Sequence, residues 1–165
     1  MRLSKRLMAI CDLIPAGQKV IDIGADHAFV DIYLNKYKNC QCLATDISKE
    51  CIQKAKNNIQ KYNVNVQTMV TDGLNNLKLT DEIIIISGMG TKRIKKILTP
   101  DITNDLVISS HTKIPDLKKF LKRKHYKISQ EKHVSDKKTY TIIYAKKTIW
   151  GKWLVQIKKK LKKNV

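Results

Sequence analysis

The chain has 165 residues, enough for one globular domain with a substantial buried core. Hydrophobic residues make up 42% and charged residues 28%, which excludes a disordered polymer, and no apolar run approaches the ~20 residues that span a bilayer. Lys and Arg total 33 against 14 Asp and Glu, a formal net charge of +19, so the surface attracts polyanions. Only Arg2, Arg6, Arg93 and Arg123 are arginines, and Asn and Ile are abundant, so AT-rich coding accounts for part of the excess. Lysine acts as a point charge, which suits phosphate attraction better than base reading.

At the N-terminus, Leu3, Leu7, Ile10 and Ile14 fall at helical spacing, and Asp12 interrupts the apolar stretch. The pattern predicts an amphipathic helix of a cytoplasmic protein rather than a signal peptide. Strand and helix then alternate. Residues 19–24, 41–46, 64–71, 82–87 and 106–109 read as strands; residues 28–37, 48–62, 91–98 and 114–124 read as helices. Ser48 is a plausible N-cap, with Glu50 in the first turn. Four consecutive isoleucines at 83–86 suit a strand buried on both faces. Residues 126–133 and 139–146 read as an antiparallel hairpin closing the sheet. The expected fold is therefore α/β, a mostly parallel seven-stranded Rossmann-like sheet with helices on both faces and a terminal antiparallel hairpin. The expected division is a 1–147 domain followed by a short basic helix at 148–165. In that tail, Trp150, Trp153, Leu154, Ile157 and Leu161 make one face and lysines load the rest. Such a helix binds RNA, lies on an anionic membrane, or closes the domain as a solvated helix.

Cys11, Cys40, Cys42 and Cys51 contain no C-x-x-C pair, and His27, His111, His125 and His133 show no ligand spacing. Reduced thiols and no metal site are expected.

The first predicted strand breaks at Asp22-Ile23-Gly24-Ala25-Asp26-His27, where a doubly wound sheet opens its ligand crevice. A dinucleotide site needs G-x-G-x-x-G here, to set a pyrophosphate on the helix N-terminus. One glycine among carboxylates does the opposite: it repels phosphate and attracts the sulfonium and ammonium of S-adenosylmethionine. Asp46, ending the second strand, suits the two ribose hydroxyls, with Ile47 beside it. Asp72-Gly73 suits the adenine edge. Each also has a bland reading, as a tight turn, a helix cap or an ordinary Asp-Gly turn. After the fourth strand, Ser87-Gly88-Met89-Gly90 lies where such a fold holds the transferable methyl, and two glycines there admit a flat base. The Asn-Pro-Pro-aromatic motif of many exocyclic-amine methylases is absent.

Leu3-Ser4-Lys5-Arg6-Leu7, Ile14-Pro15, Asp22-Ile23-Gly24-Ala25-Asp26-His27-Ala28 and Gly88-Met89-Gly90 together resemble the bacterial tRNA (adenine-22-N1)-methyltransferases, in order from residue 3 to about 146. The resemblance implies methyl transfer from S-adenosylmethionine to N1 of a tRNA adenine; a monomer is expected rather than an oligomer. It implies a cofactor pocket of Asp22, Ile23, Gly24, Ala25, Asp26 and His27, completed by Asp46, Ile47, Asp72, Gly73, Ser87 and Gly88. It also implies Asp26, Gly88 and Met89 at the reacting base, with Asp26 stabilising charge on the base or holding the cofactor ammonium. RNA contacts are expected at Lys5, Arg6, Lys92, Arg93, Lys152 and Lys158.

Three departures stand out. Ser109-Ser110-His111 replaces the family's Gln-Pro-Asn, Thr91 replaces a further glycine, and the chain stops soon after Trp150 where relatives continue into a helical domain. Methyl transfer to another RNA position or to a small molecule, and RNA binding without catalysis, remain open readings. A nucleotide-dependent oxidoreductase is disfavoured by the missing glycines.

Overall fold

The computed structural model describes residues 1–136 and 138–163. Its elements run α1 (Lys5–Asp12), β1 (Lys19–Ile23), α2 (Phe29–Lys38), β2 (Gln41–Asp46), α3 (Lys49–Tyr62), β3 (Val66–Val70), β4 (Ile83–Ser87), α4 (Thr91–Ile97), β5 (Leu106–Ser110), α5 (Ile114–Arg123), β6 (Tyr126–Asp136), β7 (Lys138–Lys147) and α6 (Ile149–Lys163). One seven-stranded sheet has the order β3-β2-β1-β4-β5-β7-β6. Strands β1 to β5 pair in parallel, and β7 pairs antiparallel with both β5 and β6. The expected architecture is thus the observed one.

Period-two geometry explains how the isoleucine run works. Ile83 and Ile85 face the core layer under α1, α2 and α3, while Ile84 and Ile86 face the layer under α4 and α5. All four are buried, which stabilises the fold by roughly 1.5–3 kcal/mol per side chain. Helix starts follow local chemistry. Ser4 Oγ accepts the Leu7 amide and Ser48 Oγ accepts the Cys51 amide, satisfying N-terminal donors that the helices leave open.

Two differences from the sequence expectation are structural findings. The hairpin runs closer to its turn than predicted, β6 continuing past residue 133 to Asp136 and β7 starting at Lys138, because the two strands stay paired from Tyr126 and Lys147 to Asp136 and Lys138. The third strand is shorter than predicted, Val66–Val70, and the segment from it to β4, where no helix was expected, runs through short turns. Order reverses between β1 and β4, so the chain leaves β1 toward β2 and returns past it to β4. A crevice opens at the carboxyl ends of those strands.

α6 begins at the other end of the sheet. Its Gly151 lies against His125 and Lys147, and a Cβ there would come within 2.7 Å of His125 Cβ. Val155 is buried, and Lys158 Nζ bonds Asp101 at 2.8 Å, with Lys124 on the other Asp101 oxygen at 3.1 Å. No described helix is long and apolar enough to cross a membrane.

Candidate active site

The carboxyl ends of β1 to β4 enclose a cleft of about 480 Å³, within the range of small-ligand sites. Every cofactor-pocket residue expected from the sequence lines it: Asp22 to His27 from β1, Asp46 and Ile47 from β2, Asp72 and Gly73 after β3, and Ser87 and Gly88 from β4. Arg6, Arg93 and Met89 line it as well.

The β1–α2 loop is held by backbone bonds at its start and by the Asn58 side chain, whose Nδ2 donates to His27 O at 3.0 Å. Gly24 and Ala25 both donate their amides to Thr45 O, at 2.8 and 2.9 Å. Gly24 (φ +79), Asp26 (φ +50) and Ala28 (φ +55) alternate through the left-handed region. For the two L residues that geometry is uncommon and signals an over-determined loop. The Met89 methyl also occupies the space a Cβ at Gly24 would fill, so a side chain there would displace that flexible thioether. Asp26 lies on the rim, half exposed, with His27 Nε2 at 3.5 Å, and His27 stacks on Phe29 at 5.5 Å.

The floor is acidic. Asp22 is 4% exposed, and its Oδ1 has no hydrogen-bond partner. Burial pushes its carboxyl up to about 7, against the pull of Asp31 and of the Arg6 guanidinium. Asp46 Oδ1 accepts the Ser48 amide at 2.9 Å, so its carboxylate both caps the turn into α3 and faces the cleft. An orphaned buried carboxylate oxygen, a second carboxylate 24 residues on, and a glycine floor fit a cationic, hydroxyl-bearing ligand. They do not fit a pyrophosphate.

The mouth joins Arg6 and Ser87, both expected at the site, to two residues that motif reading missed, Tyr140 and His111. Arg6 Nη1 donates to Ser87 Oγ at 2.6 Å, and its guanidinium lies 5.1 Å over the Tyr140 ring. His111 meets Tyr140 edge to face at 5.3 Å, and its buried Nδ1 is unpartnered. Tyr140 reaches the site because β7 begins there, beside the end of β5; the sequence signal was a lone aromatic at the start of a hairpin strand. The two departures in the loops are linked in space. Thr91 donates its amide to Thr112 Oγ1 at 3.0 Å and its hydroxyl to Thr112 O, with Ser110 Oγ at 3.4 Å. The hydroxyl-rich loop after β5 therefore braces the loop after β4.

The six residues expected to touch RNA divide. Arg6 and Arg93 line the cleft, and Lys92 shares an adjoining groove with Arg93, Lys96, Ile97 and Pro100. Lys5 is exposed on α1. Lys152 instead sits in a cleft with Gln18, Thr80 and Asp105, at the amino ends of β1, β4 and β5. Lys158 is committed to Asp101, beside Thr99 and Pro100. The structure brings neither of these two to the cleft. Among the described residues no group of His, Cys, Asp or Glu is arranged to hold a metal.

Strand order, crevice and acidic floor define a nucleoside-sulfonium site on a Rossmann-like sheet. A methyltransferase-domain family model matches residues 3–143, and the chain belongs to that family. It is 31% identical over 156 residues to a Mycoplasma genitalium protein provisionally named tRNA methyltransferase MG248, covering 88% of this chain and 70% of that one. It is 34% identical over 102 residues to the Bacillus subtilis tRNA (adenine(22)-N(1))-methyltransferase, covering 59% of this chain and 43% of that one. The structure of M. capricolum TrmK with S-adenosylhomocysteine superposes with a TM-score of 0.83 at 27% identity, over 90% of this chain and 70% of that one. The family resemblance seen in the motifs therefore holds along most of the chain.

Proposed function

We propose that this protein transfers a methyl group from S-adenosylmethionine to N1 of a tRNA adenine, at position 22, as the relatives' names indicate for them. The observation that carries the reading is the acidic, glycine-floored cleft that opens directly onto the Arg6–Ser87–Tyr140 cluster. The cofactor, when bound, supplies an electrophilic methyl on a sulfonium. Asp22 would face its ammonium, Asp46 its ribose hydroxyls, and Asp72 and Gly73 its adenine.

Adenine N1 already carries a lone pair, so the protein's task is alignment at near-attack distance rather than deprotonation. The base must be turned out of its helix to reach the cleft. Arg6, pinned by Ser87, and Tyr140 form one wall for it, with Gly88 admitting close backbone approach. N1-methylation leaves the ring cationic. Asp26 on the rim is the residue we assign to meet that charge, and Met89 the one that borders the base. Lys92, Arg93 and Lys96 beside the mouth suit the RNA backbone, in keeping with the net charge of +19. In this reading residues 1–147 are the catalytic unit, 148–165 an appended helix, and the protein is a cytoplasmic monomer.

The test is incubation of the full chain with unmodified tRNA and methyl-labelled cofactor, followed by primer extension. N1-methyladenine blocks pairing, so a stop at position 22 is expected. Label transferred to small metabolites, with none in tRNA, would overturn the reading.

A further inference from the structure

The cleft does not end at Arg93. Ile47, Asp72, Gly73, Arg93 and Ile97 line it and also line a second groove, of about 1060 Å³, which follows α4 to Thr99 and Pro100. Thr99 and Pro100 in turn wall a third hollow, of about 550 Å³, with Val155, Lys158, Lys159 and Leu161 of α6. Walls shared in series make one trough, from the cleft along α4 to the closing helix.

Its floor is apolar, with Leu74 and Ile97 packed against the core below and Ile47 still 55% exposed at the head. Its rim is cationic: Lys92, Arg93 and Lys96 stand exposed on α4, and Lys158 and Lys159 on α6. Among the described residues, Lys158 alone of these five has an ion-pair partner. That partner, Asp101, is shared with Lys124, so the one acid at the foot is already neutralised. A bilayer is flat and does not follow a concave trough. A second copy would bring one unpaired cationic rim against another. A small anion needs convergent donors, and these cations are strung along two helices. A polymer with a regular anionic backbone and flat apolar faces matches both rim and floor, and single-stranded RNA is that polymer.

We infer that the trough holds the RNA strand adjoining the target adenine, with its phosphates against Lys92, Lys96 and Lys159 and its bases over Leu74, Ile97 and Pro100. This extends the tRNA reading above and rests on it. That reading has RNA at the mouth; the trough carries the strand along α4 to a helix that begins at the other end of the sheet. Substrate choice then depends on a strand able to follow the trough, as well as on the base that enters the cleft. Methyl transfer itself is untouched by the foot of the trough, since Lys159 lines neither the cleft nor the groove beside it.

The experiment measures tRNA binding to the full chain with S-adenosylhomocysteine over a range of salt, for wild type, Lys96→Ala, Lys159→Ala and Lys54→Ala. Lys54 is the control, a lysine of α3 outside the trough; all three are exposed, so no core contact is lost. Each phosphate contact contributes about 0.7–1 to the log–log slope of affinity against salt. Lys96→Ala and Lys159→Ala should each lower the slope by that much and raise KM for tRNA. Their kcat, and their calorimetric affinity for S-adenosylhomocysteine, should match wild type. Lys54→Ala should keep the wild-type slope. An unchanged slope in Lys159→Ala, or an equal fall in Lys54→Ala, would overturn the inference while tRNA is still bound and methylated. Polyglutamate displacing tRNA as well as a single-stranded RNA of equal length does would overturn it in favour of an acidic protein partner. A wild type that binds S-adenosylhomocysteine but neither binds nor methylates tRNA would overturn the tRNA reading with it.

Discussion

Asp22 and Gly24 do different jobs a few ångströms apart, and their substitutions should fail differently. Asp22→Asn keeps shape and hydrogen bonding but removes the charge. Losing one member of a desolvated charge pair costs on the order of 2–5 kcal/mol of binding, so cofactor affinity should drop by at least about 30-fold in a folded protein, measured by calorimetry. Gly24→Ala meets both a left-handed backbone and the Met89 methyl. It should cost about 1–2 kcal/mol of stability from the backbone alone, and should displace Met89 into the cleft. Arg6→Ala should lower kcat more than cofactor affinity, since Arg6 bonds Ser87 and stacks on Tyr140 but reaches Asp22 on the floor only through its charge. Equal loss of both parameters would show that Arg6 serves the cofactor through Asp22 instead. Much of this scale was legible beforehand: every pocket residue expected from the turn motifs lies in the cleft. Tyr140 and His111 were not, because each reaches the site through strand pairing or packing that no local spacing records.

Among the elements, strands and helices followed from apolar periodicity, and their boundaries moved where tertiary pairing overrode local pattern. The hairpin is the clearest case, since β6 and β7 extend each other beyond the predicted ends by mutual pairing. The role of α6 was less legible: its lysine-loaded face said nothing of which end of the sheet it would lie against. Two contacts fasten it, the close approach at Gly151 and the Asp101 cluster. Gly151→Ala should overpack that approach and destabilise by about 1–3 kcal/mol, with cofactor affinity intact, as read by denaturant unfolding beside calorimetry. Asp101 is held down to about 2, first by its hydrogen bond to Lys158 and then by Lys124. A depressed carboxylate contributes stability above its unfolded value that is lost as pH falls through the folded one. Acid unfolding should therefore lose an increment between pH 3.8 and about 2 that Asp101→Asn lacks.

For the molecule as a whole, the buried acid pair and the surface charge work on separate observables. Asp22 and Asp31 are both raised, chiefly by burial, so the folded state binds more protons than the unfolded one above the ordinary carboxylate range. Their contribution is fully present below pH 3.8 and is lost as pH rises through about 7 for Asp22 and higher for Asp31. Asp31→Asn should accordingly gain stability relative to wild type as pH increases, seen by denaturant titration at an acidic and an alkaline pH. A constant difference would mean that burial does not raise these carboxyls in the folded protein. The net charge of +19 acts instead on RNA affinity, which should fall steeply and log-linearly with salt while cofactor affinity barely changes.

The contact between Arg6 and Tyr140 joins the first helix to the last strand of the sheet. All the cofactor-facing loops, from Asp22 to Gly88, are translated before β7 exists. Closing the wall for the base is thus a late, long-range event in folding, set by how β7 threads between β5 and β6. A nascent or C-terminally nicked chain could assemble the nucleoside cradle and still lack the surface against which an RNA base is turned. Competence to modify RNA is in this way reserved for polypeptides whose synthesis has gone past the hairpin.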